Sequence, residues 1–88
     1  MKKNTMLYIV NTPNENHFFF TSKEAREDYR WGKSIMKKMG QDGEIAIFKM
    51  EPLLDEDGEI NDYDSDLDRY FKDNLGTKKC EKILSEQI

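Results

Sequence analysis

Apolar positions along this chain recur first with the period of strands, then with that of a helix, then with that of a strand again. Residues 5–11, TMLYIVN, are β-branched and aromatic and predict a strand. The turn-forming TPNEN at 12–16 leads into HFFFT at 17–21, a second strand that closes a hairpin. From 22 to 39 the period lengthens to that of a helix. Thr21 and Glu24 have capping-box spacing, with Glu24 set to reach back to the Thr21 backbone N–H. Lys37 and Lys38 suit the negative helix end, and Gly40 supplies the stop. EIAIFKME at 44–51 predicts a third strand, ended by Pro52, which has no N–H to give a ladder. If the third strand pairs with the first, the order is 2-1-3, every adjacent pair is antiparallel, and the helix covers one face.

Beyond residue 64 the pattern is again helical. SDLDRYFKDNLG at 65–76 places Leu67, Tyr70, Phe71 and Leu75 on one face, with Asp64 or Ser65 as N-cap and Gly76 as stop. TKKCEKILSEQI at 77–88 predicts a short third helix with Cys80, Ile83 and Leu84 inward. The expected fold is α+β: a three-stranded antiparallel sheet (ββαβ) with one covering helix and two short C-terminal helices. It forms a single domain over 1–88, divided into a ββαβ core at 5–51, an acidic loop at 52–64 and C-terminal helices at 65–88.

At about 100° per residue, Ala25, Tyr29, Gly32, Met36 and Met39 share one side of the first helix, flanked by Ile35. That side reads as core. Arg26, Arg30, Lys33 and Lys37 fall on an adjacent side, either a solvated face with local pairing or a row of cations for phosphates or carboxylates. No aromatic residue interleaves them, so single-strand binding has little support. Trp31 lies at the far edge and is the best single candidate for an interface anchor.

Composition adds an asymmetry. The chain of 88 residues has net charge −4. Residues 1–50 hold nine basic and six acidic side chains, whereas residues 51–88 hold five basic and twelve acidic ones. An acidic second half disfavours direct nucleic-acid binding there and favours a basic protein partner. The single cysteine excludes an intramolecular disulfide and fits a reducing compartment. No apolar run approaches the roughly 18 residues of a membrane helix, and MKKNTMLYIV lacks the apolar length of a leader, so cytoplasmic residence is expected.

LLDEDGEINDYDSDLD at 53–68 holds eight carboxylates and no Lys or Arg. With Gly58 at the sixth position of an EF-hand loop, Asp55, Asp57 and Asp64 occupy ligand positions. Leu53, however, stands where the first oxygen belongs, and Asp64 is too short for bidentate reach. Two readings remain. The carboxylates can form a solvated connector with helix-capping aspartates. Alternatively Asp55, Asp57, Glu59, Asp62, Asp64 and Asp66 can imitate the regular charge of nucleic-acid phosphates and dock on a basic groove. His17 reads as a structural or edge residue. Cys80 reads as a small core residue, although Lys78, Lys79 and Lys82 could lower its pKa. No phosphate loop, nucleophile elbow or metal-ligand spacing occurs, so no cofactor, metal or catalytic residue is assigned.

YIVN…FFFTSKEARE followed by EIAIFKME resembles small accessory proteins encoded by bacteriophages, over residues 5–51. The acidic second half is similar in composition to small acidic phage inhibitors of nucleic-acid-binding host proteins. The resemblance implies a protein that occupies a surface without turnover, in a host cytoplasm. The leading expectation is therefore a non-enzymatic inhibitor that blocks a host defence or nucleic-acid-binding protein through its acidic surface. The alternative is a small-molecule binder, or a small enzyme, using a pocket beside the first helix. The second strand, as an edge, could also pair across a homodimer.

Overall fold

The computed structural model describes residues 5–88. The lysine-bearing start that bears on a leader, residues 1–4, lies outside the described residues. Six elements follow in order: β1 (Leu7–Asn11), β2 (Asn16–Phe19), α1 (Ser22–Lys38), β3 (Glu44–Met50), α2 (Asp64–Asn74) and β4 (Cys80–Gln87). The sheet order is β2-β1-β3-β4, antiparallel at every pairing. The predicted 2-1-3 core is present, but the three-stranded sheet with two C-terminal helices is not: among the described residues there are four strands and two helices.

The missing strand was hidden by a β-bulge. Ile47 pairs with Leu84 and Phe48 with Lys82, so Ile83 is the extra residue. The bulge breaks the period of two. Ile83 and Leu84 both pack on the α1 side of the sheet, whereas Cys80 packs on the other. The resulting apolar spacing imitates a helix, but the open edge of β3 supplies a ladder that an isolated segment lacks.

A second correction concerns the faces. Helices cover both, not one. Strand alternation sends Leu7 and Ile9 of β1, with Ala46, Phe48 and Met50 of β3, toward α2, where Leu67 and Phe71 complete the cluster. Val10, Ile45 and Ile47 face α1 and meet Ala25, Tyr29 and Met36. The unbroken apolar run 45–48 of β3 is what a strand buried on both sides requires. Phe48 and Phe71 meet edge to face at 5.0 Å. Gly32 lets α1 lie close, since a Cβ there would stand 3.1 Å from Ile45 Cδ1. Two residues read as inward are exposed, Met39 at the C-cap of α1 and Leu75 just past α2.

Thr21 caps α1 as expected: its Oγ1 accepts the Glu24 N–H. The return bond differs, because the Glu24 carboxylate accepts from the Thr21 hydroxyl at 2.9 Å, not from its backbone. At the opposite end of the hairpin, the β1–β2 turn is fastened by Thr12, whose hydroxyl oxygen accepts the Asn14 and Glu15 N–H groups. Pro13 of that turn lies against Gly43, where an added Cβ would meet Pro13 Cγ at 2.5 Å. Alternation along β2 then aims neighbours at opposite layers. Asn16 Nδ2 donates to Asp68 of α2 at 2.8 Å, while His17 reaches Asp28 of α1.

Candidate functional site: an acidic ridge and a cleft beside the first helix

The acidic segment is ordered by its own polar groups. Leu54 and Ile60 form an antiparallel bridge, and the Asp55 N–H donates to the Glu59 carbonyl at 2.8 Å. Inside this turn the Asp55 carboxylate accepts the N–H groups of Asp57 and Glu59, at 2.9 and 3.0 Å. Asp55 is thus the internal brace of the turn, not one of its free charges. Gly58 carries a φ of 80°, which the turn requires. Asp66 is half-buried and accepts from Asn61 Nδ2 at 3.0 Å.

The remaining carboxylates of the predicted set, Asp57, Glu59, Asp62 and Asp64, are exposed. None of the ion pairs among the described residues involves a carboxylate between 51 and 66. Two large apolar side chains stand among them, Leu54 at 53% and Tyr63 at 71% exposure. Beside the ridge runs a groove of about 230 Å³ lined by Leu53, Tyr70, Arg69, Asp66 and Asp73. Among the described residues no group of three His, Cys, Asp or Glu side chains converges as a metal site. No helix there is long and apolar enough to cross a membrane.

The basic stripe of α1 does not act as one row. Lys33 is bound to Glu86 of β4 at 2.9 Å, and Arg26 Nε donates to Ser22 Oγ at 3.2 Å. Arg30 and Lys37 are exposed. Glu86 also accepts from the Tyr29 hydroxyl at 3.0 Å. The hydrogen bond from Lys33, followed by that from Tyr29, lowers the Glu86 pKa. Burial first, then Glu86, pushes Tyr29 up to about 12. Cys80 is buried, and burial pushes its thiol up, contrary to the lowering by neighbouring lysines considered from the sequence.

Sequence reading passed over a second feature, centred on His17. Its Nδ1 lies 2.9 Å from Asp28 Oδ2 and its Nε2 3.0 Å from Glu15 Oε2. Both partners are acceptors, so both ring nitrogens must donate and the imidazolium is favoured. The hydrogen bond to Asp28 is the largest cause of a raised pKa, against a smaller opposing effect of burial. This clamp borders a cleft of about 120 Å³ between α1 and the β1–β2 turn, with Trp31 as one wall. Trp31 is 67% exposed. His17 and Asp28 are eleven residues apart on different elements, so no local spacing in the sequence signals the clamp.

The chain matches no family model, no curated protein and no solved structure in the three comparisons.

Proposed function

We propose that this protein is a non-enzymatic binding protein whose acidic ridge docks on a basic surface of a protein partner, of the kind that otherwise holds nucleic-acid phosphates. The observation that carries the reading is the ordered turn at 54–60: its braced backbone presents the exposed, unpaired carboxylates of Asp57 and Glu59, with exposed Leu54 in the turn and Tyr63 just after it. A preformed turn loses little chain entropy on docking. The carboxylates supply steering and register, and the two apolar side chains supply area that a partner can dehydrate. The resemblance to phage inhibitors fits this mode of action, since blocking a groove needs occupancy and no turnover. An enzyme using the cleft beside α1 is the weaker reading. Both nitrogens of His17 face carboxylates, which leaves no lone pair to accept a substrate proton.

The test begins with a partner captured at low salt from bacterial lysate and identified by mass spectrometry. Its affinity is then measured by calorimetry for the wild type and for the D57N/E59Q/D62N/D64N variant, at two salt concentrations. Four exposed charges at a few tenths of a kcal/mol each amount to roughly a tenfold loss of affinity. The wild-type affinity should also fall with salt while the variant's changes less. Asp55 and Asp66 are left intact because the turn and the approach to α2 use them. Unchanged affinity in the variant would return the segment to a solvated connector.

A further inference from the structure

We propose that the cleft between α1 and the β1–β2 turn receives an arginine side chain of a partner polypeptide, stacked on Trp31 and hydrogen-bonded to Glu15 and Asp28. The nature of the ligand rests on the basic-partner reading above, but the site uses different residues and can fail alone. Its shape comes first. Gly32, Ile35 and Met36 line the cleft together with Trp31, and about 120 Å³ is the share of on the order of four waters, room for a guanidinium.

Charge selects the ligand. The charged groups lining the cleft are Glu15, His17 and Asp28, and every other lining residue is neutral. Their sum is −1 with an imidazolium and −2 with a neutral imidazole. Asp28 lines the cleft with Trp31, and Glu27 precedes Trp31 by four residues on α1, a helix-neighbour spacing outside the cleft lining. A cation over an indole face is attracted by the ring quadrupole. Guanidinium suits the site better than ammonium, because it is planar against the ring while its forked N–H groups reach carboxylate oxygens at the edge.

The clamp couples this site to protons. His17 is faced by Glu15 from its own hairpin and by Asp28 from α1, the same two carboxylates the guanidinium needs. A protonated His17 therefore competes with the ligand for both carboxylates, and a neutral one, with a single N–H left, releases one of them and removes a positive charge from beside the other. Binding should tighten as pH rises through the titration of His17, and by linkage a bound cation should make His17 release its proton more readily. Of the three charged groups, histidine is the type that ordinarily titrates between about pH 5 and 8.

Trp31 is the only tryptophan, so its fluorescence reports on this cleft alone. The full chain is titrated with N-acetyl-Gly-Arg-Gly-amide, with the isosteric citrulline peptide, with the lysine peptide and with spermidine. Expected is a saturable change with the arginine peptide, with Kd on the order of millimolar. The lysine peptide should bind more weakly and the citrulline peptide not at all. Affinity for the arginine peptide should be about two- to five-fold higher at about pH 8.5 than at about pH 5.5, the effect of one partly screened charge. E15Q and D28N should each weaken it several-fold with unchanged circular dichroism; Glu15 is exposed, so E15Q reads out even where D28N unfolds. The D57N/E59Q/D62N/D64N variant should respond as the wild type does. Four results overturn the proposal: no saturable change up to about 10 mM peptide, equal response to citrulline, tighter binding of spermidine than of the arginine peptide, or loss of the response in the ridge variant. The last would mean general attraction to an acidic protein. Failure here leaves the calorimetric test of the ridge untouched.

Discussion

Replacing Phe71 by Ala tests whether α2 is part of the core or a flanking element. Phe71 is 1% exposed, meets Phe48 edge to face at 5.0 Å, and packs in the cluster of Leu7, Ile9 and Met50. Truncation removes the transfer free energy of the ring and leaves a cavity between helix and sheet, which together cost about 3–5 kcal/mol. At roughly 0.05–0.15 kcal/mol per residue, a chain of this length has on the order of 4–13 kcal/mol in total. F71A therefore removes between about a quarter and all of the stability. Leu75 is the internal control. It shares the helical face of Phe71 in sequence but is 46% exposed, and L75A should cost less than about 1 kcal/mol. Urea unfolding followed by circular dichroism gives both values, with the slope m indicating whether the unfolded reference has moved. A loss below about 1 kcal/mol in F71A, or equal losses in the two variants, would refute the covered second face.

Three further outcomes are expected. Titrated by NMR, His17 should show a pKa above its ordinary value, chiefly through Asp28. Relative to H17Q, its contribution to stability is complete below the unfolded pKa and is lost as pH rises through the higher folded value, visible as a change in the difference of urea midpoints. In E86Q, the tyrosine that titrates at about 12 in a spectrophotometric titration should move down toward the usual range but stop short of it, because burial of Tyr29 persists when the carboxylate is gone. G43A should lower stability by about 1–3 kcal/mol, measured by thermal unfolding, since Gly43 has a φ of 141° and a methyl there meets the Pro13 ring; a neutral effect would mean that this turn does not pack as described.

What local chemistry decides was readable along the chain. The Thr21 cap and the run of α1 depend on neighbours within one turn of helix, and TMLYIVN, HFFF and EIAIFKM carry strand character at each position. The exposure of the acidic segment was also legible, since charged side chains without partners stay in water. Partner choice across the fold was not. Residues 80–87 became β4 because β3 offered an unpaired edge, and a one-residue bulge gave their apolar residues a spacing that a helix would share. The role of Asp55 as a brace depends on the N–H groups of Asp57 and Glu59 turning toward it, and composition cannot tell a bracing carboxylate from a free one. The His17 clamp required β2 to be laid beside α1 with odd-numbered side chains facing it, a placement set by strand parity and helix docking together. Sequence determines the contacts made within a few residues, where geometry follows from the backbone alone. Tertiary structure decides those whose cost in chain entropy is met only when the whole sheet closes.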